Sequence, residues 1–351
     1  MTLNKTQEAI IEKAKAAGGG ELGIGLGDEA CNFLIATIAK DLSLYKKFPE
    51  FPKDIPNFFS PIAPKELEVG GINFRDTFEK LVKLVPDADT YFSCLASLHK
   101  SRLKFAKILE AQPLPTMDQI GPRSLLQFGI LDPISLANFL VWRKWIFDID
   151  NRAAQETGYL FEPIIAYAIG GVPFSARKSP IRRRSNASLG RQVDCVRGTD
   201  AYEIKIRVTI AASGQGRWKE ELEFPVDCKH SGYTPVLVVL DPTPNQKLAE
   251  LEKVFKAVEG RTYIGDAAWH HLESLAGKTM GIFLEKYVRQ PMQETLENKS
   301  ELPLNISFRM REGFVDIQIE DKTYSFERKV NMALIEEDLL PDDVDEEVIR
   351  I

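Results

Sequence analysis

The chain has 351 residues, 44% hydrophobic and 27% charged, enough to bury a sizeable core in one large domain or two ordinary ones. This composition is that of a soluble globular protein rather than a disordered one. The formal net charge of -6 is an average over strongly unlike segments, so it does not exclude a nucleic-acid partner.

The opening MTLNKTQEAIIEKAKAA scatters charge through its length and has no continuous apolar run. It is expected to be neither a signal peptide nor a membrane anchor, which places the protein in the cytoplasm with no membrane partner. The four cysteines, Cys31, Cys94, Cys195 and Cys228, form no CxxC pair, which argues against a zinc site or a disulfide framework.

Residues 1–132 read as a helical region suited to recognition, dimerisation or both. Apolar residues three and four apart predict helices in TQEAIIEKAKAA, DEACNFLIATIAKDL, FRDTFEKLVKLV and DTYFSCLASLHKSRLKFAKIL. The breaks fall at GGGELGIGLG and FPEFPKDIPNFFSPIAP. The glycine segment follows a helix and lacks the GK[ST] of a phosphate loop, so it reads as a plain loop.

Residues 133–300 change character. A long helical pattern, SLANFLVWRKWIFDIDNRAAQETG, runs into GYLFEPIIAYAIGG; RQVDCVR and AYEIKIRVTI read as strands; SGQGRWKEELEF reads as a glycine loop into a short helix. PVLVVL is a buried strand and NQKLAELEKVFKAV an amphipathic helix. The order predicts an α/β sandwich around a mixed sheet. A β-meander (301–330) and an acidic tail (331–351) follow. Trp142 and Trp145 on the long helix read as packing or dimer contacts, and His270 and His271 as structural.

Between residues 177 and 219, eleven lysines and arginines stand against Asp194, Asp200 and Glu203. This basic block keeps nucleic acid in view. Arg182, Arg183 and Arg184 cannot all share one strand face, so at least one points to solvent or phosphate. Arg191 and Arg207 lie on the same stretch. Ser213, Gln215 and Arg217 either contact DNA from a glycine loop or belong to a turn in which Ser213 caps the next helix.

VDCVRGTDAYEIKI, residues 193–206, concentrates the chemistry. A turn at Gly198 and Thr199 pairs residues whose numbers sum to 397, which sets Asp194 opposite Glu203 with Cβ atoms about 4.5–5.5 Å apart. Lys205 shares their face, while Tyr202, Ile204 and Ile206 point the other way. Two carboxylates so opposed repel unless a proton or a hard divalent cation lies between them.

The arrangement resembles the PD-(D/E)XK nuclease superfamily, and within it the type II restriction endonucleases, over about residues 150–260. The resemblance implies a restriction-endonuclease-like α-β-β-β-α-β core and Mg²⁺ as cofactor, with Mn²⁺ as a substitute. Asp194 and Glu203 would be metal ligands, the Ile204 carbonyl a third, and Lys205 the residue that positions the attacking water. Glu162 would be an accessory acid, with Glu156 as its alternative. Double-stranded DNA as substrate, a homodimer and a cognate DNA methyltransferase are implied as well. Val193 stands where the family name has proline, and Pro163 is expected to interrupt or restart the helix after Glu162. A structure-specific repair or recombination nuclease and an inert DNA-binding module are the competing readings.

A second hairpin, GFVDIQIEDKTYSFERKV, imitates the first. A turn at Asp321 and Lys322 would oppose Asp316 to Glu327 with Lys329 following. No buried strand comes after it, and its carboxylates are expected on a solvated face.

Overall fold

A computed structural model describes residues 3–17, 23–206, 215–244, 246–297 and 305–328. The acidic tail, Arg207 and Ser213 lie outside these ranges.

The N-terminal helices are α1 (Lys5–Lys15), α2 (Asp28–Asp41), α3 (Phe74–Leu84) and α4 (Ala88–Ala111). Their starts are written locally: Asn4 and Gln7 form a capping box on α1, and the Asn73 side chain accepts from Arg75 and Asp76 at α3. The short α5 (Met117–Ser124), which periodicity did not reveal, leads to α6 (Pro133–Ala168). Asp132 caps α6, and Pro133 occupies the first turn, where no N–H is required.

At 36 residues α6 spans about 54 Å, and it passes through Pro163 without ending. The expected interruption does not occur. Proline removes one backbone hydrogen bond and costs about 3 kcal/mol in a helix interior. Packing against α4 on one side, with Ile164 and Ile165 in the core just beyond the proline, offsets that loss.

After α6 come β1 (Val172–Phe174), β2 (Arg182–Arg183), β3 (Asn186–Gly190), β4 (Val193–Arg197) and β5 (Asp200–Lys205). Then follow α7 (Gln215–His230), β6 (Thr234–Val239), α8 (Gln246–Ala257), β7 (Arg261–Ile264) and α9 (Asp266–Leu284). The main sheet has the order β1-β4-β5-β6-β7, antiparallel up to β5 and parallel beyond it. Leaving aside the small β2–β3 ribbon, the sequence from α6 to β6 is α-β-β-β-α-β. It is a mixed sheet flanked by helices, a restriction-endonuclease-like core.

Two apolar layers enclose the sheet. Cys195, Tyr202, Ile204, Val236 and Val238 pack with α6, α9 and the N-terminal helices. Val193, Ala201, Leu237 and Val239 pack with Phe224 and Cys228 of α7 and with Leu251 and Phe255 of α8. Being apolar on both faces is what a central parallel strand such as β6 requires.

A π-helical turn (Glu285–Arg289) and α10 (Gln290–Glu297) follow α9, and β8 (Ile306–Arg311), β9 (Phe314–Ile319) and β10 (Lys322–Glu327) form a separate meander. Trp142 stacks on Phe308 of this meander at 5.3 Å, whereas Trp145 is buried and donates to the Gln112 carbonyl. His271 stacks on Tyr263 at 3.8 Å. No helix among the described residues is long and apolar enough to cross a membrane.

His99 of α4 is buried between Phe33 and Phe58, and its Nδ1 has no hydrogen-bond partner among the described residues. Burial, aided by Arg102, lowers its pKa to about 4. The unfolded state therefore binds its proton more tightly, and stability present above pH 6.5 is lost as the pH falls toward 4. The shift corresponds to about 3 kcal/mol. Urea unfolding across that window should show the decline, and His99→Phe should flatten it.

Candidate active site

The hairpin of β4 and β5 turns at Gly198 and Thr199, and Gly198 supplies the positive φ of 60° that a tight turn needs. Cys195 pairs with Tyr202, Val196 with Ala201 and Arg197 with Asp200, so the numbers sum to 397 as the sequence predicts. The paired ladder ends there, with Asp194 the next residue of β4 and Glu203 the next of β5.

Beyond Cys195 and Tyr202 the ladder changes hands. The Ile204 N–H donates not to a backbone carbonyl but to Asp194 Oδ2, at 2.7 Å. In a strand the N–H and C=O of one residue project toward the same neighbour, so the Ile204 carbonyl is directed to the Asp194 side of β5.

A bulge explains how Asp194 is aimed. Against β1, Val172 pairs with Val196 but Phe174 pairs with Val193, so β4 carries one extra residue. Val193 and Cys195, which a regular strand would place on one face, lie in different apolar layers. The extra residue is absorbed between them, a device that re-aims side chains beside sites. Gly171, behind the strand, has no room for a side chain, since a Cβ there would lie 2.2 Å from Cys195 Sγ.

Lys205 Nζ lies 3.0 Å from Glu203 Oε1 and 3.4 Å from Glu221 Oε1. Glu221 sits on α7, against the same sheet face. Sequence reading missed it because it enters from a separate helix sixteen residues further on, where no spacing rule marks it. Burial pulls the Lys205 pKa down, but Glu203, Glu221 and Asp194 outweigh this and hold it above the ordinary lysine value. The Asp194 carboxyl is pushed well above the usual range, first by burial and then by the charges of Glu203 and Glu162, with the Ile204 N–H and Lys205 acting the other way.

Glu162 reaches the site from α6, one residue before Pro163. Its charge bears on Asp194, whereas Glu156 is engaged by Lys104 at 2.6 Å. The oxygen-only donor set of Asp194, Glu203 and the Ile204 carbonyl suits a hard cation. Among the described residues no three His, Cys, Asp or Glu side chains form a ready-made cage.

The basic block is more committed than its composition implies. Arg191 is buried; it donates to Asp227 at 2.5 Å and to the Glu220 carbonyl, so it is not at the surface where DNA would meet it. Arg183 is 2.8 Å from Glu220, and Arg197 donates to the Ile169 carbonyl. Arg182 and Arg184 are exposed. Gln215 and Arg217 open α7, and Arg207 and Ser213 lie outside the described residues.

The competing hairpin differs in register. Asp316 pairs with Ser325 and Glu327 with Phe314, because the turn falls at Glu320 and Asp321, with Glu320 at positive φ. Nor is the Asp316 carboxylate solvated as expected: it is covered by Arg311, at 2.5 and 2.7 Å, and by Ser325. Those bonds, Arg311 first, lower its pKa to about 2. It is an occupied carboxylate.

The family model for ApaLI-like restriction endonucleases matches residues 38–289, well over half of the chain. The chain belongs to that family. The match runs from within α2 to the end of the π-helical turn, so this family's common unit includes N-terminal helices as well as the hairpin. The type II restriction enzyme ApaLI of Acetobacter pasteurianus is 47% identical over 279 residues, 74% of this chain and 74% of that protein. No solved structure matches the chain significantly.

A carboxyl whose folded pKa is raised costs stability as the pH rises above its unfolded value of about 3.9. Asp194→Asn keeps an acceptor for the Ile204 N–H and removes that charge. In chelator-treated protein at neutral pH it should raise Tm by a few degrees, read by calorimetry. Arg191→Ala should instead lower the unfolding free energy by about 3–5 kcal/mol in urea, because it strands Asp227 in the interior.

Proposed function

We propose that the chain is a type II restriction endonuclease that hydrolyses phosphodiester bonds of duplex DNA at a short palindromic sequence, using Mg²⁺ or, in its place, Mn²⁺. The observation that supports the site assignment is the end of the β4–β5 hairpin, where the Ile204 N–H donates to Asp194, Lys205 pairs with Glu203 and Glu221, and the charge of Glu203 bears on Asp194. Family membership supplies the reaction class.

In this reading Asp194, Glu203 and the Ile204 carbonyl hold the cation, with Glu162 as an accessory acid. A divalent cation so held supplies neutralisation of phosphate charge and promotes ionisation of water. Glu203 and Glu221 keep Lys205 protonated and its Nζ fixed, so it can donate hydrogen bonds to the attacking water and to the phosphate as negative charge develops there. Glu162 and Asp194 repel each other in the metal-free state, so the assembly is poised to accept positive charge.

Arg182 and Arg184 are placed to meet phosphates, with Arg183 tethered beside them. Arg207, Ser213, Gln215 and Arg217, on the segment between β5 and α7 and at the start of α7, are assigned to DNA contact. A cognate methyltransferase would protect the host sequence.

Incubation with phage DNA and Mg²⁺ should give discrete bands whose sequenced ends share one motif. Lys205→Ala and Asp194→Asn should each reduce cleavage by about 10³-fold or more while leaving DNA retention in a gel shift intact. Smearing without a common end sequence, or undiminished cleavage by both variants, would overturn the assignment.

A further inference from the structure

The arginines of the basic block are largely committed, with Arg183, Arg191 and Arg197 each bound to a protein oxygen. A different cation stands open beside the hairpin. Lys247, in the first turn of α8, holds its Nζ 4.9 Å from the centre of the Trp218 ring. Its neighbour on the same helix, Lys256, is paired with Glu252 at 2.9 Å, whereas Lys247 has no carboxylate partner among the described residues.

The chain delivers Lys247 to the catalytic end of the sheet. The β6–α8 connection is stitched to the end of β5: the Leu240 N–H donates to the Lys205 carbonyl at 2.9 Å and the Asp241 N–H to the Ile206 carbonyl at 2.8 Å. Thr243 then donates its N–H and its hydroxyl to Asp241 Oδ1, at 2.8 and 2.5 Å, which fixes the turn before α8. Ligands of open α/β sheets bind beyond the carboxyl ends of the parallel strands, and α8 starts from that edge.

Trp218 lies on the same side of the sheet as the reaction centre. Glu203 and Lys205 pair in register with Leu237 and Val239, which pack against α7, α8 and Trp218. Trp218 precedes Glu221 by three residues, about 4.5 Å along α7 and on a shared helix face. Glu221 in turn contacts Lys205 at 3.4 Å.

Lys247 is also placed against the local field. The first turn of a helix is partially positive and favours acids. The helices α1 to α5 and α9 carry an acid there, but α8 carries none and has Lys247 instead. The ring face supports the ammonium, and its charge is open to an anion.

We propose that Lys247, carried on Trp218, binds a backbone phosphate next to the one being cut and so holds the duplex in register with Lys205. The proposal rests on the endonuclease reading, which supplies the polyanion. A phosphodiester contact of this kind is indifferent to base sequence.

Binding of fluorescent duplexes by the full-length protein, in chelator so that nothing is cut, should be followed by anisotropy against salt. Each phosphate contact contributes about 0.9 to the slope of log affinity against log salt. Lys247→Ala should lower that slope by about 1 and the affinity about 5- to 10-fold at 0.1 M salt, for any duplex sequence. Lys247→Arg should restore both, and Lys253→Ala, which removes an exposed cation further along α8, should change neither. With Mg²⁺ present, Lys247→Ala should raise KM and leave kcat within about twofold. Duplex should also change the tryptophan emission of the wild type as the ammonium leaves the ring, and the change should shrink in Trp218→Phe and in Lys247→Ala.

An unchanged salt slope in Lys247→Ala, an equal loss in Lys253→Ala, a lowered kcat with KM intact, or a Trp218 signal that DNA does not move would overturn the proposal. Failure of the endonuclease reading is separate. It would appear as a wild type that binds duplex through Lys247 but cuts none with Mg²⁺ or Mn²⁺.

Discussion

Everything at the end of β5 is arranged around crowded negative charge. Asp194 is buried where little water remains, and the charges of Glu203 and Glu162 add to that burial in raising its proton affinity. The fold tolerates this because the Ile204 N–H takes one oxygen of Asp194 and Lys205 lies between Glu203 and Glu221. The rest of the architecture keeps those few contacts in place. The bulge in β4 aims Asp194, α7 brings Glu221 over the same face, and α6 delivers Glu162 from the opposite layer.

That arrangement exchanges stability for readiness. A folded state that stores repulsion among acids binds a divalent cation more strongly than one in which each acid already has a neutralising partner. Asp316 in the meander illustrates the alternative. Arg311 and Ser325 donate three hydrogen bonds to its carboxylate, and its pKa falls to about 2. The two hairpins are alike in sequence and opposite in electrostatics.

The helices, the mixed sheet and the first hairpin were legible because they rest on local rules: apolar period, capping residues, and a two-residue turn that fixes register. The second hairpin escaped the same arithmetic because its turn lies one residue earlier than the composition suggests, with Glu320 in a left-handed conformation that side-chain identity does not announce. Glu221 was invisible for another reason: no local pattern links a helix residue to a lysine on the preceding strand. The basic block misled in the opposite direction. A count of arginines cannot distinguish Arg182, in solvent, from Arg191, which is locked to Asp227 beneath the surface. Pro163 shows tertiary packing overriding a local preference.

The unbroken course of α6 through Pro163 has one more consequence. Because the helix does not end between Trp145, buried and bonded to the Gln112 carbonyl, and Glu162, whose charge bears on Asp194, the two keep a fixed rotational phase. One residue inserted between them would turn one relative to the other by about 100° and shift it by about 1.5 Å, whereas seven would restore the phase to within about 20°. Evolution can change almost any side chain along that stretch more easily than it can change its length.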